Sequence, residues 1–550
     1  MMDLHGGRTK CLLVQTKFSG FSFWNYQEVC DVVGAKYPAS SLGLLTVAAL
    51  FPQNWTFRLI DENVEPLLDD HLKWADIVCT GGMLPQQDGI LNFIRRAHDL
   101  DRLVVVGGPD PTSQPDLYHE ADFLVLGEGE VTIPMFMNDL QKGAKSGRYF
   151  SEEKANMLEA VVPRYDLIDF RNYIMIGLQV IRGCPFNCEF CDIIELFGRI
   201  PRFKSNEQVI KELQSLYDLG YRGHIDIVDD NFIGNKKKVK ELLREIKTWT
   251  QNHGYPFYFS AEATINLAED EELLQLMKDI DLRYVFLGIE TPENDTLKLN
   301  KKIQNINKPI EPAVRKLLSY GIVSNGGYII GFDSESKQIA DNMINSIQES
   351  GICMAMIGLL YALPNTQLTR RLESEGRLFH QASQSVGEHD IDQSTSGLNF
   401  ITLIPRREVL ENFIRIISTI YEPSNYYKRV VFTGLNIRSH YKYAPNFRTW
   451  LRYMHSFLRV CRKAGFNSAT GFYYWKMFFT LLFRNPKGIE TAVNLAAMFI
   501  HFRKQKEYGV SQMKKRISEL EKTGEKAFYA KMMGTNQSTQ LTNRNGYVNE

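Results

Sequence analysis

Short apolar runs alternate along the chain with stretches whose apolar residues recur every three or four positions, and the alternation occurs in two series. In the first, 10–15, 56–61, 77–80, 102–106 and 123–126 read as strands, and 42–51, 87–100 and 129–140 as helices between or after them. This rhythm predicts a doubly wound α/β domain over 1–145, whose ligand would sit at the carboxyl ends of the strands. Three of those ends carry glycine, the residue that lets a ligand approach the backbone: Thr80-Gly81-Gly82, Gly107-Gly108 and Gly127-Glu128-Gly129-Glu130. On spacing alone these turns leave a nucleotide site and ordinary strand ends equally open.

Weak periodicity over 146–172 predicts a linker, and the second series then begins at the apolar run 173–181. Strands follow at 223–229, 257–263, 284–289, 324–330 and 354–360, separated by amphipathic helices at 206–219, 236–252, 270–280, 309–320 and 338–348. This pattern predicts a partial (β/α)6 barrel over 173–365, with its working face at the strand C-termini. Those ends carry acidic groups, Asp229 and Asp230, Glu262 and Glu290, which are costly at a barrel mouth unless they meet a cation or donor. For Asp229 and Asp230 a helix N-cap is an equal alternative, since a helix soon follows. Beyond 365 the pattern predicts a mainly helical region to 530, with a charged helix at 366–376, a polar loop at 380–397, and one strand-like run and one amphipathic helix within 398–430. Residues 531–550 read as a disordered tail.

Composition narrows the class. A chain of 550 residues needs two or three cores, and 44% hydrophobic with 23% charged residues is globular. Zero net charge gives no argument for nucleic acid. Eight cysteines in so long a chain point to a reducing compartment, and the start shows no apolar stretch of signal-peptide length, so a cytoplasmic location is expected. One segment departs from balance: 427–510 carries fifteen Lys or Arg against Glu490 and Glu507, interleaved with aromatics. Two readings stay open there, a helical bundle with solvated charges and peripheral contact with an anionic membrane face, and nucleic acid is a weaker third because no recognition motif accompanies the charge.

The strongest chemical signal is RGCPFNCEFCD at 182–192. Cys184, Cys188 and Cys191 put three thiols on one loop at the spacing CxxxCxxC. Zinc would ask for a fourth Cys or His at a regular offset, and His224 and His253 lie far downstream. A cubane cluster has four irons, so three thiolates leave one iron open to a non-protein ligand.

This triad, with Phe190 before the last cysteine, resembles the motif of the radical S-adenosylmethionine (SAM) enzymes. The resemblance implies a 4Fe-4S cluster on Cys184, Cys188 and Cys191 whose open iron chelates SAM and, once reduced, cleaves it to a 5′-deoxyadenosyl radical. It also implies that Asp229 and Asp230 receive the SAM amino group, that Glu262 and Glu290 face the ribose or substrate, and that Ile329 packs near the adenine. Upstream, GGPDPTSQPDLYHEADFLVLGEGE at 107–130 resembles the cobalamin-binding domain fused to many such enzymes. By that resemblance Gly107 and Gly108 would line the nucleotide tail, Thr80, Gly81 and Gly82 the corrin edge, and Gly127 and Glu128 the same site. The loop after the first strand has no His, and Asp3-Leu4-His5 and Asp69-Asp70-His71 are out of place, so cobalt is expected to lack a protein His ligand.

The segment 398–430 resembles the C-terminal extension of the cobalamin-dependent subgroup that includes the hopanoid C-2 methylases. Together these resemblances imply a radical SAM methyltransferase acting on an unactivated carbon of a small, apolar lipid such as a hopanoid, with flavodoxin or ferredoxin as reductant. The alternatives are a cobalamin-using radical cyclase or rearrangement enzyme, and a cobalamin-binding sensor with a structural cluster.

Overall fold

A computed structural model describes residues 9–18, 25–379 and 394–534. In chain order the first strands are β1 (Lys10–Gln15), β2 (Tyr37–Ala39), β3 (Thr56–Asp61), β4 (Ile77–Gly81), β5 (Leu103–Gly107), β6 (Phe123–Val125) and β7 (Gly147–Tyr149). Six of them make one parallel sheet in the order β3-β1-β4-β5-β6-β7. The order reverses between β1 and β4, which opens a crevice at their carboxyl ends. Alternation along each strand fills two cores. On β1, Leu12 and Val14 join Ile90 and Phe93 on one face, while Cys11 and Leu13 join Phe136 on the other. β7 lies in the stretch expected to be a linker and pairs with β6, so the sheet continues to Tyr149.

The second set is β8 (Tyr173–Leu178), β9 (Ile181–Arg182), β10 (Arg202–Phe203), β11 (Gly223–Ile227), β12 (Phe257–Ala263), β13 (Leu282–Glu290), β14 (Val323–Ile330) and β15 (Ala355–Leu359). A curled parallel sheet runs β15-β14-β13-β12-β11-β8-β2. Six of its strands are those expected. The seventh, β2, comes from the N-terminal segment and pairs with β8 through Tyr37↔Tyr173 and Ala39↔Met175. The helices fall where periodicity put them, for example Asn206–Asp218 and Lys236–Asn252.

Helices Arg406–Ile420, Pro423–Asn436, Phe447–Val460, Gly471–Arg484 and the long Ile489–Thr523 make up most of the C-terminal region. The strand-like run after 398 does not become a strand. It makes only an isolated bridge, Leu378↔Phe400, because no neighbouring strand is there to pair with it. Helix Glu525–Met532 runs into the expected tail, and 535–550 lie outside the described residues, as do 380–393 of the polar loop, residues 19–24 of the loop after β1, and His5. Among the described residues no helix is long and apolar enough to cross a membrane.

Candidate active site

A single cavity of about 1220 Å³ joins the carboxyl ends of the first sheet, the interior of the barrel and the C-terminal helices. This is larger than the roughly 300–1,000 Å³ typical of one small ligand. Thr80, Gly81, Gly82, Gly107, Gly108, Gly127 and Glu128, all singled out from sequence, line it, and so does Glu262. The glycines form a shelf of bare backbone. A Cβ on Gly81 would stand 2.5 Å from the Gly107 carbonyl oxygen, and Gly108 has φ +97°, where side chains are strained.

Glu128 does more than line the cavity. Its carboxylate is buried and accepts from two arginines of the second half: Arg182 Nη1 at 2.7 Å, and Arg202 Nη1 and Nη2 at 2.9 and 2.7 Å. Arg182 also donates to Glu130 from Nη1 and Nη2, both at 3.0 Å. Burial pushes Glu130 up, but the Arg182 hydrogen bonds and charge outweigh it and hold the carboxyl below its usual range. The Gly-Glu-Gly-Glu turn is thus a clamp onto β9 and β10, the strands that flank the cysteine loop. Sequence reasoning placed Glu128 at a ligand and missed the two arginines, which are far from it in the chain.

The cysteine loop is held at several points. Asp229 Oδ1 accepts from the backbone N–H of Val180 and Ile181 at 2.8 and 2.9 Å, fixing its start. Asp229 therefore faces the loop's backbone, does not line the cavity, and caps no helix, since Asn235 caps the following one. Glu189 bonds Arg371 (Nε to Oε1, 2.8 Å), and Phe190 meets Phe332 edge-on at 5.7 Å. Gly183, at φ +91°, lets the loop lie against the carbonyls of Phe197, Gly198 and Ile200. Cys188 is buried, Cys184 and Cys191 are half-buried, and burial pushes all three thiols up, so thiolates form there only when a cation takes the charge. Gln304 Nε2 donates to Cys188 Sγ at 3.6 Å. Among the described residues no three His, Cys, Asp or Glu side chains are arranged to hold one metal ion. A cubane takes one thiolate per iron and suits separated thiols on one loop.

Around the barrel mouth, buried polar atoms lack partners: Asp229 Oδ2, both amide atoms of Asn231, Gln304 Oε1, Asn305 Oδ1 and Glu335 Oε2. Such atoms are costly and call for a polar ligand. Glu290 has φ +65° and bonds Lys302 Nζ at 2.6 Å, Asp230 is exposed, and Ile329 is half-buried in the sheet; none of the three lines the cavity.

Deeper in the barrel lies a polar group that the motif search did not find. His224 and Asp226 on β11, and Tyr258, Ser260 and Glu262 on β12, all line the cavity. His224 Nε2 bonds the Ser260 hydroxyl at 2.7 Å, and Ser260 in turn donates to Asp226. Burial, then the Arg283 charge, lowers His224 to about 3, so the imidazole is neutral. Burial, then Asp226, Asp230 and Asp229, raises Glu262 to about 8. The signal was available: polar residues alternate with Ile225, Ile227, Phe257, Phe259 and Ala261, which is the period of a strand with one polar face.

Fold and site together define a radical SAM barrel joined to a doubly wound N-terminal sheet. Residues 178–347 match the radical SAM superfamily, and 366–515 match a domain of unknown function, DUF4070. An uncharacterized methyltransferase of Synechocystis is 37% identical over 494 residues, covering 88% of this chain and 90% of that protein. The hopanoid C-2 methylase of Rhodopseudomonas palustris is 35% identical over 426 residues, covering 77% and 78%. A radical SAM methyltransferase from Kitasatospora setae, TsrM, solved with cobalamin and a 4Fe-4S cluster, shares the fold at TM-score 0.58 and 14% identity, covering 83% of this chain and all of that one. The chain belongs to the radical SAM methyltransferases: it is an enzyme, and methylation of carbon is its activity.

Two expectations follow from the geometry. Replacing Glu128 by Gln leaves the buried Arg182 and the half-buried Arg202 undercompensated and should cost about 3–5 kcal/mol in denaturant titration, with Arg202→Met in the same chain restoring part of it. Glu262 faces Asp226, Asp229, Asp230 and Tyr26, and keeps a proton in the folded state that the unfolded chain loses near the ordinary carboxyl value of 4.5. The folded state therefore binds more protons across this window, and stability falls as pH rises from 4.5 through about 8. Glu262→Gln should flatten that fall in unfolding midpoints measured across the window, and an unchanged slope would refute the assignment.

Proposed function

We propose that this enzyme methylates an unactivated carbon of a large apolar lipid, with polycyclic triterpenoids of the hopanoid type as the substrate class, using cobalamin beside the 4Fe-4S cluster and SAM. The observation that carries the reading is the cavity, which runs from the glycine shelf through the barrel to an apolar wall of C-terminal helices that includes Trp450, Phe457, Val493 and Met498. When bound, the cluster and SAM supply hydrogen abstraction from carbon, and cobalamin supplies the methyl group.

The chain's own residues hold and orient. Cys184, Cys188 and Cys191 ligate the cluster on a loop fixed by Asp229 and Glu189. Asp229 Oδ2, Asp230 and Asn231 receive the SAM amino group, and Glu290, held by Lys302, stands towards the ribose. Glu262, which lines the cavity, lies on the substrate side. Thr80 and the shelf glycines Gly81, Gly82, Gly107 and Gly108 seat cobalamin at the switch point between β1 and β4, where bare backbone permits close approach. Among the described residues lining the cavity His224 is the one histidine, and it stands on β11 inside the barrel. A flavodoxin or ferredoxin supplies the electron. The hopanoid for which the Rhodopseudomonas relative is named favours this reading over a soluble one, since the 77% of this chain aligned to that methylase extends beyond the two α/β halves.

Changing any of the three loop cysteines to Ala should abolish cluster absorbance near the visible region and all 5′-deoxyadenosine formation. Changing Cys11, Cys30, Cys79, Cys353 or Cys461, all buried elsewhere, should leave both intact. Anaerobic turnover with a hopanoid such as diploptene should release S-adenosylhomocysteine and 5′-deoxyadenosine together with a methylated product. Deoxyadenosine alone would instead indicate a radical cyclase or rearrangement.

A further inference from the structure

Helix Phe447–Val460 presents three stripes. Trp450, Tyr453, Phe457 and Val460 line the cavity. Phe447, Leu451, Met454 and Leu458 recur at four-, three- and four-residue steps on an adjoining face and are exposed, Phe447 by 71% and Leu458 by 60%, and Met454 lines the cavity as well. Arg448, Arg452 and Arg459 form the third stripe. An amphipathic helix of a globular protein ordinarily turns its apolar stripe inward. Here one apolar sector wraps from the cavity wall to the outer surface.

The next helix, Gly471–Arg484, repeats the inversion. Tyr474, Met477 and Leu481 are buried, while Phe472 is 73% and Phe483 82% exposed, with Phe479 and Leu482 also exposed. The two helices form one patch, since Phe457 and Phe478 stand 6.1 Å apart and Trp475 joins Phe466, Phe478 and Phe479. Eleven of the twenty-one large hydrophobic side chains exposed among the described residues lie between Phe447 and Phe483. From Phe447 to Lys487 the sequence has eight Lys or Arg and no Asp or Glu. Arg448, Arg462, Lys476, Arg484 and Lys487 are exposed and form no ion pair among the described residues.

We infer that this face docks on an anionic lipid bilayer, with the aromatic and aliphatic side chains in the acyl boundary, the basic rim on the headgroups, and helix Phe447–Val460 as the lip through which a lipid passes into the cavity. Charge complementarity selects the anionic bilayer, and continuity of the apolar sector with the cavity gives the docked face its use. The inference deepens the lipid-substrate reading and rests on it only for that use.

The test uses the full chain with its cluster, sedimented with vesicles of phosphatidylcholine alone or mixed with phosphatidylglycerol, at low and high salt. Phe472→Ser/Phe483→Ser and Arg484→Glu/Lys487→Glu change residues outside the cavity, and circular dichroism reports their folding. Binding should require the anionic lipid, weaken with salt, and fall by roughly tenfold or more in each double variant. Methylation of detergent-dispersed hopanoid should be unchanged in both. Wild-type protein that ignores anionic vesicles while methylating dispersed hopanoid would overturn the docking and leave the lipid substrate standing. Vesicle binding with turnover on a soluble substrate alone would support the docking and remove the lipid substrate. A dimer dispersed by the same variants, without vesicle binding, would assign the face to a second copy of the chain and overturn the inference.

Discussion

The ion-pair cluster of Glu128 with Arg182 and Arg202 sets the geometry on which the rest depends. Glu128 leaves the first sheet immediately after β6, on a turn that Gly127 permits at φ +79°. Arg182 precedes Cys184 by two residues. A buried carboxylate between two guanidinium groups is poor evidence for net stability, because desolvation consumes much of the attraction. What it supplies is position. Any shift of one half against the other would leave at least one buried charge without its partner, so the glycine shelf and the cysteine loop are held at one separation. For an enzyme that must align reacting groups, such a constraint on position matters more than any net stability.

Other ties act in the same direction. Tyr173 at the start of β8 donates to Asp61 at the end of β3, at 3.0 Å, and the chain after β1 crosses over to give β2 to the barrel sheet. Helix Gln27–Val33, from the same crossing segment, packs on helices Phe447–Val460 and Ile489–Thr523. The N-terminal segment therefore threads all three parts before it completes its own sheet. The cavity is bounded by all of them, and no single part encloses it.

Most of the scaffold was legible because buried parallel strands are short apolar runs and their crossover helices keep a helical period. The cysteines and glycines were legible because their chemistry depends on local spacing. Three things were not. β2 is three residues long, too short to carry a period, and its partner lies far along the chain. The run after 398 has strand composition without a neighbour, and strands exist only in pairs. The clamp joins residues distant in sequence, so each of its members, taken alone, reads as an ordinary charged residue. Asp229 shows the converse: a motif position expected to face a ligand has one oxygen committed to the backbone of Val180 and Ile181, with only Oδ2 left free.

The polar group inside the barrel bears on how a largely apolar cavity tolerates buried acids. A carboxylate facing hydrocarbon would be prohibitive, yet Asp226 and Glu262 line a largely apolar cavity. Burial raises both above their ordinary range, Glu262 to about 8, and lowers His224 to about 3, so near neutral pH Glu262 keeps its proton and His224 is neutral. These two offer hydrogen bonds without the cost of facing a charge. Fixed charges remain nearby: Arg283 lines the cavity and pairs with Asp281 at 2.8 Å, Glu128, Arg182 and Arg202 stand at the domain joint, and Lys302 with Glu290 lies beside the cysteine loop. The barrel wall thus combines neutral hydrogen-bonding groups with a charge matched by its own neighbour, which limits what a largely apolar cavity loses by desolvation.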